Sequence, residues 1–250
     1  MDINWLSGGS SSSGFNWMGG QTIAPDSSPR PRAVIGPPNF KSIWWLESAL
    51  KASRSVARIK LPNGAATGFL VKNDLLLTNN HVFENAEDTV EAKIQFNYRM
   101  TADDQLAPID EWRCDPDAGF ITNKALDYSL VRLAPKTGNN AGDIWGTLDI
   151  EHGQTIFPNS RVNIIQHPQG RFQEIAFRDN QVKLADDVRV QYLTDTEFGS
   201  SGSPVFDDRF NVIALHSQRI PDPADPDRWY RNEGFQVAAI VADAPEFFPG

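Results

Sequence analysis

Val56-Ala57-Arg58-Ile59-Lys60-Leu61-Pro62-Asn63-Gly64 is where the period of the chain changes. Val56, Arg58 and Lys60 alternate with Ala57, Ile59 and Leu61, the two-residue period of a half-buried strand. Pro62-Asn63-Gly64 follows as a turn, and Ala65 to Leu77 reads as two more short strands. Just upstream, residues 41–53 have a different period: Ile43, Leu46 and Leu50 share one face of a short helix, with Trp44 or Trp45 flanking. Downstream, strand candidates recur at 92–98, 128–133, 162–166, 172–177, 188–193, 204–206, 211–217 and 235–241, mostly separated by turn residues. Many short strands at this spacing predict an all-β sandwich or barrel rather than a βαβ array.

Composition limits the function. The chain has 250 residues, 40% of them hydrophobic, which is enough for one large core or two of roughly 100 residues each. The formal net charge is −9 with no block of Lys and Arg, which argues against a nucleic-acid partner. No apolar stretch approaches the roughly 20 residues needed to span a bilayer. Cys114 is the single cysteine, so no intrachain disulfide forms, and a reducing compartment is expected. Met1-Asp2-Ile3-Asn4-Trp5 has neither a basic n-region nor an apolar h-region, so no signal peptide and a cytoplasmic setting are expected. Residues 1–40 are rich in Gly, Ser and Pro and read as a loosely held segment. Its aromatics Trp5, Phe15 and Trp17 would suit docking on the chain itself or on a regulatory protein partner.

Three segments carry chemistry. In Phe198-Gly199-Ser200-Ser201-Gly202-Ser203-Pro204, glycines flank a serine, so the backbone can turn tightly and approach a substrate. A serine hydroxyl needs a base and an oxyanion site to act as a nucleophile, and the N–H groups of Gly199 and Ser201 could converge on one point. His81 ends the apolar run Leu75-Leu76-Leu77-Thr78-Asn79-Asn80, a strand end where an imidazole is both exposed and held. Asp127 opens the apolar strand 128–133 and is the candidate carboxylate to orient that imidazole. The order His81, Asp127, Ser201 is the chymotrypsin order and not that of α/β-hydrolases, and residue 203 is Ser, so the G-x-S-x-G elbow fails. No zinc-ligand cluster is present, and Asp222-Pro223-Ala224-Asp225-Pro226-Asp227 lacks the Gly and closing Glu of a calcium loop and reads as a stiff surface loop. No metal or cofactor is expected.

With these residues in place the chain resembles the trypsin-like, chymotrypsin-fold serine peptidases. Ala66-Thr67-Gly68-Phe69-Leu70-Val71 looks like their G-T/S-G-F/W-x-V strand, and Leu77-Thr78-Asn79-Asn80-His81-Val82 like their L-T-A/N-x-H-V segment. Leu126-Asp127-Tyr128-Ser129-Leu130 resembles D-x-A/S-L, and Gly199 to Pro204 resembles G-N/D-S-G-G/S-P. The likeness runs from about residue 55 to 241. It implies two antiparallel six-stranded β-barrels, with His81 and Asp127 on the first and Ser201 on the second. The expected division is 1–40, 41–145 and 146–250. It also implies a serine endopeptidase without cofactor, acting on a protein or peptide.

The nearest branch looks like the bacterial glutamyl-endopeptidase-like group, including intracellular members linked to defence or signalling operons. Thr196 and His216 stand at the offsets of that group's Glu-binding pair, whereas Asp195 stands where Arg/Lys-specific members carry Asp. Adjacent strand residues point to opposite faces, so only one of Asp195 and Thr196 is expected in the pocket. His216 favours an acidic or Gln preference. Ser200 replaces the Asp that pairs with a new N-terminus in zymogen-activated members, so activity independent of N-terminal processing is expected. A protease-fold scaffold recruited through residues 1–40 is the competing reading.

Overall fold

The computed structural model describes residues 16–17, 21–22, 40–152, 156–178 and 180–249. Most of the Gly/Ser/Pro-rich segment therefore lies outside the described residues. Within it, β1 (Asn16–Trp17) and β2 (Gln21–Thr22) form an antiparallel pair. From Lys41 onward the chain is one compact unit.

That unit opens with α1 (Trp44–Ser53), followed by β3 (Val56–Leu61), β4 (Gly64–Lys72), β5 (Leu75–Thr78), β6 (Lys93–Phe96), β7 (Asp110–Trp112), β8 (Phe120–Asn123) and β9 (Tyr128–Arg132). These seven strands make one antiparallel sheet in the order β7-β6-β3-β4-β5-β9-β8. After α2 (Ala141–Trp145) come β10 (Asn163–Gln166), β11 (Glu174–Ala176), β12 (Val182–Ala185), β13 (Arg189–Tyr192), β14 (Pro204–Phe206), β15 (Val212–Asp222) and β16 (Asp225–Gln236). They form a second antiparallel sheet, β11-β10-β14-β15-β16-β13-β12. The chain ends in α3 (Val237–Asp243).

Each sheet closes on itself. In the first, Cys114 bridges Leu133, and Asp115 N–H and Ala134 N–H donate to the Arg132 and Arg113 carbonyls across the seam. In the second, Arg161 bridges Gln181, and Val162 N–H and Val182 N–H donate to Asn180 and Ser160. Closure satisfies edge groups that would otherwise template aggregation. The all-β expectation holds. The hydrogen-bonded sheets have seven strands rather than six, because β8 and β11 add short hairpin strands beside each seam.

Three apolar clusters build the core. One fills the first barrel around Leu70, Phe83, Ile94 and Trp112, and one fills the second around Val162, Val190, Tyr192 and Val205. The third lies between them and joins Phe69, Leu77 and Leu130 to Phe206, Leu215 and Phe235.

Three sequence expectations need correction. The stripe Ile43, Leu46 and Leu50 does not face the core, with Ile43 71% exposed. Instead α1 buries Trp45 and Ala52, and the Trp45 ring packs 5.1 Å from Phe210 and 5.7 Å from Phe177. Both faces of this helix are apolar, and the bulkier indole takes the interior. Residues 237–241 are helical rather than a strand, since Val237, Ile240 and Ala244 at helical spacing all bury into the inter-barrel core. Asp243 then anchors α3, accepting from Tyr128 Oη–H at 2.6 Å and Asn123 Nδ2–H at 2.7 Å. The stretch 222–227 is not a stiff loop but a hairpin turn, with Asp222 paired to Asp225 and β16 already under way. Strands 110–112, 120–123 and 182–185 carried no alternation long enough to read.

Candidate active site

His81 sits in the turn that ends β5, and Asp127 stands immediately before β9, the neighbour of β5 in the sheet. Strand pairing thus brings together residues 46 positions apart. His81 Nδ1 lies 3.0 Å from each Asp127 carboxylate oxygen, and the His81 backbone N–H donates to Oδ1 at 3.2 Å. The side chain of Asp127 is 15% exposed against 47% for His81, so the carboxylate is recessed and the imidazole reaches solvent.

Asp127 has φ of +44°, a conformation that Asp tolerates better than most residues but at some cost. Asn79 secures it by donating Nδ2–H to the Asp127 carbonyl at 2.9 Å. Burial would raise the carboxyl pKa, but hydrogen bonds from His81 and Ser217 more than offset it and hold the group below its ordinary value.

Ser217 is the residue that sequence reading missed. Its hydroxyl donates to Asp127 Oδ2 at 2.5 Å. The β15–β16 register shifts between His216 and Gln218, leaving Ser217 without a cross-strand partner. Such a bulge re-aims a side chain, here toward the other barrel. Nothing in the local pattern announces it.

Ser201 lies in the turn before β14, and it lines the same cleft of about 910 Å³ as His81, Gly199, Phe198 and Gln169. Strand β4 shapes that turn. Thr67 N–H donates to the Ser201 carbonyl at 2.9 Å, and the Thr67 hydroxyl donates to the Gly199 carbonyl at 2.8 Å. The same hydroxyl accepts from His167 N–H at 3.1 Å. Gly199 has φ of +90°, and a Cβ there would stand 2.6 Å from the His167 carbonyl, so only glycine fits. Among the described residues, the N–H groups of Gly199 and Ser201 have no acceptor. Ser200 is fully buried, and its hydroxyl accepts from Glu197 N–H at 3.1 Å, a local bond that closes the turn.

The expected specificity residues are only partly brought together. Thr196 is half-buried and gives its hydroxyl to Asn232 Oδ1 at 2.8 Å, whereas His216 is buried with Nδ1 2.8 Å from the Tyr192 hydroxyl. Burial first, and then the charge of Arg219, push the His216 imidazole down to about 3, so it is neutral. Asp195 and Thr196 both line a second pocket of about 650 Å³, contrary to the alternation argument. Residues 193–197 lie outside any strand, so strand alternation does not govern them.

The remaining candidates are structural. Cys114 is mostly buried, which raises its thiol to about 12 and leaves it protonated. His152 is exposed and pairs with Asp149 at 2.8 Å. Among the described residues no group of His, Cys, Asp and Glu could hold a metal ion, and no helix is long and apolar enough to cross a membrane.

A family model for the trypsin-like peptidase domain matches residues 66–215, which include His81, Asp127, Asp195, Thr196, Gly199 and Ser201 but not His216. The chain belongs to the trypsin-like peptidase family. It is 32% identical over 259 residues to "Uncharacterized protein y4fB" of Sinorhizobium fredii, covering 86% of this chain and 39% of the relative. It is 23% identical over 175 residues to the glutamyl endopeptidase of Staphylococcus aureus, covering 66% of this chain and 50% of the relative. The chain thus spans half or less of the length of these curated relatives. Among solved structures, a Glu endopeptidase in complex with MPD superposes with a TM-score of 0.58 at 16% identity, over 78% of this chain and 90% of that one. That likeness establishes the chymotrypsin-like fold.

Proposed function

We propose that the chain is a serine endopeptidase in which Ser201 is the nucleophile, His81 the general base and Asp127 the orienting carboxylate. The observation that carries this reading is the recessed, triply bonded Asp127 behind an exposed His81 that shares its cleft with Ser201. In the proposed reaction Ser201 Oγ attacks the scissile carbonyl carbon while its proton passes to His81 Nε2. The Asp127 carboxylate keeps the proton on Nδ1 and stabilises the imidazolium. The carbonyl oxygen becomes an oxyanion held by the N–H groups of Gly199 and Ser201, each worth roughly 3 kcal/mol of barrier lowering. Collapse breaks the C–N bond, and His81 delivers its proton to the leaving amine. Water, deprotonated by His81, then releases the acyl group and restores Ser201.

The substrate is a protein or peptide, and the preferred residue before the scissile bond is acidic or Gln. Likeness to a glutamyl endopeptidase supports that preference over Arg or Lys, and Thr196 lines the second pocket. The single, protonated Cys114 suits a reducing, cytoplasmic setting. A fluorophosphonate probe tests the activity. Native protein labels at Ser201, and Ser201→Ala abolishes labelling. Absence of labelling in the native chain would instead support a protease-fold scaffold.

A further inference from the structure

The peptide between Phe198 and Gly199 is tied down differently from its neighbours. Strand β4 fixes the turn beyond it, since Thr67 holds the Gly199 and Ser201 carbonyls. Ser200 closes the turn through the Glu197 N–H. None of these bonds reaches the Phe198–Gly199 peptide. Among the described residues that unit has one backbone tie: its carbonyl accepts from the N–H of Gln169.

A planar trans peptide points its C=O and its N–H in opposite directions. With the Phe198 carbonyl turned onto Gln169, the Gly199 N–H faces the other way, on a residue that lines the cleft with Ser201. Gly199, at φ of +90°, lacks the side chain whose steric limits would hold the unit in one orientation. Turned over, the same peptide would aim a carbonyl oxygen at the site where the oxyanion develops, and a stabilising donor would become a repelling acceptor. The bond from Gln169 chooses between the two.

The chain accepts a cost to make this bond. Gln169 belongs to the turn His167-Pro168-Gln169-Gly170, closed by Gly170 N–H on the His167 carbonyl at 2.9 Å. Its φ is +52°, a left-handed conformation that is uncommon for a residue with a side chain. That side chain is exposed, so core packing does not impose the conformation. Arg171 just beyond pairs with Glu197 at 2.6 Å, which fastens the two turns together a second time.

We propose that Gln169 is a positioning residue, whose backbone N–H, presented by a left-handed turn, holds the Phe198–Gly199 peptide so that the Gly199 N–H stays aimed at the oxyanion. The proposal rests on the peptidase reading above.

The test uses the full chain, the rate of Ser201 labelling by a fluorophosphonate, and the proton resonance of His81 Nδ1–H as a separate report on the triad. Gln169→Pro deletes the N–H, and Gln169→Val disfavours the left-handed conformation. Both should slow labelling, Gln169→Pro by about a hundredfold, the loss expected for one oxyanion donor, with the His81 resonance in place. Gln169→Gly and Gln169→Asn tolerate positive φ and keep the N–H, so they should recover labelling to within about threefold of wild type. Near-normal labelling of Gln169→Pro would overturn the proposal, because the peptide would then hold its orientation without the donor. Gly and Asn variants as slow as the Pro variant would also overturn it, by assigning the effect to the Gln169 side chain. So would slowing that comes with a displaced or lost His81 resonance, which would mark general damage to the site. Failure of wild type to react with the fluorophosphonate would instead sink the peptidase reading, and the proposal with it.

Discussion

Asp127 is recessed, strained and charged, three conditions that each cost free energy. Three donors offset that cost, and two come from a single residue, His81. The third, Ser217, arrives from the other barrel. Ser217→Ala removes a hydrogen bond to a charged group, worth roughly 1.5–3 kcal/mol. Because the carboxyl pKa is held down in the native chain, losing this donor raises it, and the site fails at a higher pH as the medium is acidified. The expected outcome is about a tenfold slower fluorophosphonate reaction at pH 7, with the acid limb of the pH–rate profile moved upward. An unchanged limb would mean that Ser217 plays no part in holding the carboxylate. His81, Asp127 and Ser201 were legible because each sits in a short local signature. Ser217 was not, since its role depends on a bulge created by two strands pairing.

At the level of elements, β4 does more than fill the first barrel. Its residue Thr67 holds two carbonyls of the Ser201 turn and one N–H of the segment after β10. Thr67→Val keeps the shape but strands the Gly199 carbonyl and the His167 N–H in a fully buried site. Each stranded group costs about 1–3 kcal/mol. The expected result is a melting temperature lower by roughly 5–15 °C, since 1 kcal/mol corresponds to about 2–4 °C in a domain of this size. Labelling of Ser201 should slow as well, even in the cold where the variant is folded. Normal labelling with lowered stability would separate the turn's geometry from this bond. The elements misjudged from sequence share a cause. Val237-Ala238-Ala239-Ile240-Val241 is apolar at both strand and helix spacings, and only the position of the inter-barrel core decides between them. Helix α1 likewise offers two apolar faces, and the packing of Trp45 chooses one.

For the whole molecule, two buried imidazoles set a limit on acid tolerance. Burial, aided by Arg58, pushes His167 down to about 4, and burial with Arg219 pushes His216 to about 3. Both values lie below the ordinary 6.5, so the unfolded chain binds protons that the folded chain refuses. Their contribution is fully present above about pH 6.5 and is lost as the pH falls toward the folded values. Between pH 7 and pH 5 each histidine should cost roughly 2 kcal/mol of stability. Thermal melts at pH 7, 6 and 5 should therefore fall steadily, and His167→Gln should flatten about half of the slope. A melting temperature indifferent to pH over this range would contradict the burial of both rings.

The Thr67 contact has a consequence for how the molecule goes wrong. The Ser201 turn belongs to one barrel but is bonded by Thr67 of the other, so neither half holds the complete cleft. A nicked, truncated or half-made chain would then carry Ser201 in a turn with nothing to set its shape. Under the proposed peptidase reading, damage should leave an inert protein rather than a loosened hydrolase.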